Sequence, residues 1–236
     1  MSLIENFKKL GRGMLDLVFP VSCLVCGRDG TFLCAESQGQ LARLEKQKCL
    51  VCQKPSPFGK THPDCVSKNT VDGAIAALTY KNRDVHNVIE VFKYKFVSDL
   101  AKPLAQLIIQ AIQRQNLQEY FHDFVIIPVP LHPRRLNWRG FNQSKLLASE
   151  LALQLHLTVN YQLVNRIKFT KPQVKFNAEE RKKNLENAFN LNSEIKNQKF
   201  LLVDDLVTSG ATANELAKLL KKSKAAEVWM ISAAHG

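Results

Sequence analysis

Residues 200–212, FLLVDDLVTSGAT, restrict the fold more tightly than any other part of this 236-residue chain. The apolar run from Phe200 to Val203 is too short for a helix, and it predicts a strand covered on both faces, the pattern of a parallel sheet. Asp204 and Asp205 follow at its carboxyl end, where an open α/β sheet places its ligands. Next come Val207, Thr208, Ser209, Gly210, Ala211 and Thr212, small or hydroxylated residues ahead of an apolar-periodic helix over Ala213–Leu220. Gly210 takes φ > 0 at little cost, so the loop can curl into a nest of N–H donors, and the helix N-terminus adds about half a positive charge. This is a phosphate cradle. Two acids beside a phosphate would repel it, so their place is with the vicinal hydroxyls of an attached ribose, or with Mg²⁺ through water. The alternative for the same residues is a capped turn and an ordinary helix start.

The rest of the chain continues the α/β alternation. Asp72–Tyr80 and Phe124–Val129 read as strands, and Arg83–Tyr94, Leu100–Ile112 and Ser144–His156 as helices. Between the second strand and its helix lies PLHPRRLNWRGFNQ, read as a basic loop. Its Arg134, Arg135 and Arg139 stand within six residues and can converge on a multiply charged anion such as pyrophosphate. A solvated turn with Arg139 packed on Trp138, or a non-specific nucleic-acid patch, is the competing reading. Residues 166–189 are rich in charge and read as a flexible flap, with Lys171, Gln173, Arg181 and Asn184 as the side chains to reach inward. The order of elements matches a doubly wound parallel sheet with right-handed crossovers.

All six cysteines fall between residues 23 and 65. Cys23–Cys26 and Cys49–Cys52 have the two-residue gap of a zinc knuckle. Downstream of the second pair, His62 and Cys65 complete a Cys₃His set. Downstream of the first stands Cys34, but its partner position is Ser37, so that site has three good ligands. Glu36, water or a group from elsewhere is its fourth candidate, or the site has lost its metal. One zinc shared by both CxxC pairs, and a disulfide framework, are further alternatives, the latter suited to an oxidising compartment. The expectation is one or two structural zinc ions, supplying much of the folding energy of a module too small for its own core.

The composition suits one sizeable α/β domain with an appendage. Boundaries are expected at residues 1–20 for an N-terminal amphipathic helix, 21–69 for a double zinc ribbon and 70–236 for the α/β domain. No segment has the roughly 18 apolar residues of a membrane span, and the N-terminus lacks a signal-peptide core, which places the chain in the cytoplasm. The formal charge of +12 favours anionic partners, with Lys218, Lys221, Lys222 and Lys224 forming a solvated face.

FLLVDDLVTSGAT resembles, over all thirteen positions, the signature of type I phosphoribosyltransferases, which bind 5-phosphoribosyl-1-pyrophosphate (PRPP). The resemblance implies that Asp204 and Asp205 hold the ribose hydroxyls, that the loop through Thr212 wraps the 5′-phosphate, that Mg²⁺ accompanies PRPP, and that a hood loop closes over it. The cysteine-rich ribbon, Phe92-Lys93-Tyr94, the RGFNQ of residues 139–143, Gln173 with Glu180-Arg181 and Asn184, and VDDLVTSGAT are together similar to the ComF family, competence-associated phosphoribosyltransferase-like proteins. Ser37 and His62 depart from its cysteine pattern. The family implies PRPP binding tied to the handling of incoming single-stranded DNA, with competence-machinery proteins as possible partners. The alternative is a transferase that moves phosphoribosyl to a base or amine and releases pyrophosphate, with Asp204, Asp205 and Arg139 as its catalytic residues. A third reading is a zinc-ribbon interaction protein with a relic PRPP fold.

Overall fold

A computed structural model describes residues 21–95, 97–169 and 184–236. The expected N-terminal helix, and Lys171, Gln173 and Arg181 of the expected flap, lie outside the described residues. The chain forms two compact units, Met1–Leu41 and Ala42–Gly236. The division falls inside the cysteine-rich stretch, so its second half belongs to the same unit as the sheet.

In the first unit the one helix among the described residues is α1, Ala35–Gln40. The second unit runs β1 (Gly73–Thr79), α2 (Arg83–Tyr94), α3 (Ala101–Arg114), β2 (Phe124–Pro128), α4 (Pro133–Arg139), α5 (Gln143–Leu155), β3 (Val164–Arg166), β4 (Phe189–Leu191), β5 (Lys199–Val207), α6 (Ala211–Lys222) and β6 (Glu227–His235). The main sheet has the order β1-β6-β5-β2, with every neighbouring pair parallel. β3 and β4 form a separate antiparallel pair. This is the α/β architecture expected from the alternation of apolar runs.

Residues on alternate sides of a strand serve opposite faces. Phe200 and Leu202 of β5, Val228 and Met230 of β6, and Ile127 of β2 pack in one core with Ala213, Leu216, Ala217 and Leu220 of α6, and with Val164 and Phe189 of the antiparallel pair. Helices α3 and α5 pack against each other and against the sheet, α3 on β1 and β6, α5 on β5 and β2. Each main strand is buried almost throughout. That is why the strands read as continuous apolar runs rather than alternating ones.

Two expectations need correction. β5 continues past Val203 to Val207, so Asp204 and Asp205 belong to the strand. The lysines of α6 are not all a solvated face. Lys221 Nζ lies 2.7 Å from Asp72 Oδ1 with only 13% of its side chain exposed, and Asp72 Oδ2 accepts from the Val228 N–H at 2.8 Å. This acid ties the entrance of β1 to β6 and α6.

Candidate sugar-phosphate site and metal clusters

The site arises from unequal strand lengths. β2 stops with Pro128 opposite Val203, whereas β5 stays paired to β6 as far as Val207 opposite His235. From Asp204 onward β5 has lost its β2 neighbour. Because adjacent residues of a strand point to opposite sides, the two acids meet different partners. The Ser144 hydroxyl donates to Asp204 Oδ1 at 2.8 Å, and the Asp205 N–H reaches the same oxygen at 2.9 Å. Arg135 and Arg166 add their positive fields to Asp204. Asp205, 6% exposed, faces Lys93 of α2, with 3.8 Å between Lys93 Nζ and Asp205 Oδ1. Lys93 is itself held 3.7 Å from Glu90, which accepts from the Tyr80 hydroxyl at 2.8 Å.

Burial, and then the neighbouring charge of Asp205, raise the Asp204 carboxyl to about 7; the Ser144 and Asp205 hydrogen bonds and Lys93 only partly oppose this. Burial, and then Arg135, bring the Arg166 guanidinium down to about 10. Burial and Arg139 likewise lower Arg135. Two guanidiniums therefore lie near a carboxyl that burial pushes toward its neutral form, an arrangement that suits a multiply charged anion.

The basic stretch expected as a loop is helical over its centre. His132 caps α4, its ring nitrogen accepting from the Arg134 N–H, and Pro133 occupies the first turn. Gly140 closes the helix at φ 73°. These are helix-boundary signals, proline at the start and glycine just past the end, and they were present in the sequence. Arg134 is exposed, while Arg135 and Arg139 are half-buried. Arg139 donates to Gln143 Oε1 at 3.3 Å and lies 4.7 Å above the Tyr94 ring.

RGFNQ is a joint. Phe141 packs on Phe92 at 6.5 Å. Asn142 donates to the Val129 carbonyl while its side-chain oxygen caps α5 through the Ser144 N–H. Gln143 donates to the Lys93 carbonyl at 2.8 Å. The motif thereby holds α2, β2 and α5 so that Lys93 and Ser144 reach the two acids. Sequence reasoning gave no role to Ser144, Gln143, Lys93 or Arg166. The one local signal was Asn142, a preferred N-cap that marks Ser144 as first-turn. Asn184 is partly buried, with its amide nitrogen enclosed and making no hydrogen bond.

Val207 ends β5, Thr208, Ser209 and Gly210 make the turn, and α6 already begins at Ala211, so that Ala211 and Thr212 are helical. Gly210 has φ 73°, and a Cβ there would lie 2.7 Å from Leu50 Cβ and 3.0 Å from the Leu50 carbonyl oxygen. Leu50 is the second residue of the Cys49–Cys52 knuckle and belongs to the main core with Val207, Ala213 and Leu216. The second cysteine half therefore buttresses the turn into α6.

All six cysteines are free thiols. Cys49, Cys52, His62 and Cys65 bring four ligand atoms within 4.8 Å of one another, and Cys23, Cys26 and Cys34 form a second such group. The CxxC pairs thus serve separate clusters. His62 sets Nδ1 3.2 Å from Cys52 Sγ and Nε2 3.1 Å from the Pro55 carbonyl. A proton on Nε2 satisfies that carbonyl and leaves the Nδ1 lone pair for a metal, the usual outer support of a ligating histidine. Burial, then Cys52 and Cys49, push the Cys65 thiol up to about 11. Sulfurs this crowded need a cation to ionise together, and a Cys₃His donor set at this spacing fits structural zinc. In the first cluster Glu36 is drawn off to Arg28 at 2.8 Å. Ser37, fully buried, sits 3.3 Å from Cys23 Sγ and 3.2 Å from Cys34 Sγ through its hydroxyl. Ser37→Cys is therefore expected to convert three thiols into four. Metal-release titration with a chromogenic chelator should then show this cluster surrendering zinc at least 10-fold more slowly, and an unchanged release profile would contradict the assignment.

Two family models match this chain. Residues 142–234 match the Phosphoribosyl transferase domain and residues 14–66 the Double zinc ribbon domain. DNA utilization protein YhgH of Salmonella typhimurium is 32% identical over 204 residues, covering 84% of this chain and 88% of that protein. Competence protein F of Haemophilus influenzae is 35% identical over 145 residues, 60% of this chain and 63% of its own. Competence protein ComFC of Bacillus subtilis is 27% identical over 216 residues, 83% of this chain and 81% of its own. With both domains in this order and a relative of that identity matched over 88% of its length, the chain belongs to the ComF family of competence-associated, phosphoribosyltransferase-like proteins.

Proposed function

We propose that the protein binds PRPP with Mg²⁺ at the end of β5 and couples that binding to the handling of single-stranded DNA in the cytoplasm. The observation that carries the PRPP reading is the arrangement at the strand end. Two acids outrun β2, a φ-positive Gly210 opens α6 directly beyond them, and Arg135 and Arg166 act on Asp204 from the side. The acids suit ribose hydroxyls, the cradle a 5′-phosphate and the arginines a pyrophosphate. Mg²⁺ is commonly held by one or two carboxylates together with substrate phosphates, and Asp204 and Asp205 fit that role. The DNA reading rests on the names of the relatives and on the +12 charge. No described helix is long and apolar enough to cross a membrane.

Calorimetric titration with Mg²⁺ and PRPP is expected to show binding by the wild type. Asp204→Asn should weaken it by about 10- to 100-fold, the loss of a charge-assisted contact. The carboxyl is raised to about 7, so it is protonated below that pH and a poorer acceptor there. Wild-type affinity should therefore fall as pH drops from 8 to 6, and the Asn variant should lose that dependence. No heat of binding at millimolar PRPP would sink the reading. A second reading, an active transferase, is favoured by the same arginines, which can stabilise a departing pyrophosphate. Pyrophosphate release on adding bases or amines would select it, and binding without release would select the DNA-handling role.

A further inference from the structure

Helical geometry separates arginines that the sequence places together. On α4, Arg135 and Arg139 are one turn apart and half-buried, on the side of the helix that turns toward the sugar-phosphate site. Arg134 and Trp138 are also one turn apart, and they are exposed. Trp138 leaves 69% of its surface in water. A large ring so placed costs hydration free energy that contact with another flat apolar surface would recover.

Trp138 has company. Tyr94, 46% exposed, meets it edge-on at 6.0 Å. Phe169, 47% exposed, has the Arg134 guanidinium 5.6 Å from its centroid and the His132 ring at 5.2 Å. Arg139 covers another part of Tyr94. Three exposed aromatic rings are thus interleaved with guanidiniums, and residues 132–143 contain no acid.

We propose that this outer face of α4, with Tyr94 and Phe169, is a stacking platform for single-stranded nucleic acid beside the mouth of the sugar-phosphate site. Unpaired bases offer flat faces to Trp138, Tyr94 and Phe169, while the adjoining phosphates meet Arg134. A duplex hides its base faces and would find only the charge. A protein partner for such a patch would have to bring both anions and flat apolar groups at the same spacing, which a strand of nucleotides does by its nature. The inference rests on the reading that the chain handles DNA, and it assigns the surface that does so.

The test is fluorescence anisotropy with a labelled oligothymidine at low salt, alongside quenching of the protein's own emission. Trp229 is 1% exposed, so quenching of the two-tryptophan protein reports Trp138. Wild type should bind the strand more tightly than a duplex of equal length. Trp138→Ala should weaken it by about 5- to 100-fold, the worth of one stacked base. Trp138→Phe should recover part of that loss, and Arg134→Gln should flatten the salt dependence by about 0.7 in slope. PRPP affinity should stay at its wild-type value in the two Trp138 variants, and all three variants should melt at the wild-type temperature, which shows that they fold. If wild type binds the strand while Trp138→Ala and Arg134→Gln bind it equally well, the platform is wrong and the DNA reading stands. If wild type fails to bind the strand at low salt, both fall together.

Discussion

Removing zinc from the Cys49–Cys52–His62–Cys65 cluster lowers the melting temperature of the protein by more than 10 °C and takes PRPP affinity with it. The size follows from where the cluster sits. Cys49 is fully buried and Leu50 is 1% exposed within the main core, not on an appended arm. Structural zinc sites in small modules supply about 10–16 kcal/mol of binding free energy. A domain's whole stability is about 5–15 kcal/mol. Even a fraction of the metal term shifts melting strongly, at about 2–4 °C per kcal/mol for a unit of this size. Loss of PRPP binding follows because the knuckle backbone supports Gly210. Thermal melts of Cys49→Ser, and of wild type with and without a chelator, measure the effect. Cys23→Ser is the control, since Cys23 lies in the other compact unit and should leave PRPP affinity unchanged. Melting of Cys49→Ser within about 2 °C of wild type, under about 1 kcal/mol, would overturn the prediction.

The second large effect is at Gly210. Gly210→Ala is expected to abolish measurable PRPP binding and to cost about 2–5 kcal/mol of stability. At φ 73° a side chain carries a left-handed penalty of about 1–2 kcal/mol. The added Cβ also meets Leu50 Cβ at 2.7 Å and its carbonyl at 3.0 Å, and overpacking of that kind costs about 1–3 kcal/mol. The loop can relieve both only by moving, which displaces the N–H groups proposed to hold the phosphate. Leu50→Ala in the same background should not rescue binding, because alanine keeps both clashing atoms. Denaturant unfolding and PRPP calorimetry check the two halves. Binding by Gly210→Ala within about threefold of wild type, less than about 1 kcal/mol, would refute the account.

Where information was local, the sequence was legible. β1, β2, the start of β5, α2, α3 and α6 followed from apolar runs and periodicity, since each buries a continuous run or stripe. Both cysteine pairs followed from knuckle spacing. α4 was misread because its seven residues are too few for periodicity to register; its boundary signals, Pro133 and Gly140, carried the information instead. Ser37 was read as a missing ligand, and the fold places its hydroxyl among the three thiols.

By itself the sequence determined that a buried strand, two acids, a small-residue cradle and a helix follow one another, and that the thiols come in metal-binding pairs. Those are relations over a few residues, set by covalent spacing and backbone preference. Only the tertiary structure decided that Asp204 belongs with Ser144 and Asp205 with Lys93, that Arg135 and Arg134 face different ways, and that Leu50 props Gly210. Such partners are far apart in the chain and are brought together by strand alternation, helical rotation and close packing of the core, none of which leaves a mark on either residue alone.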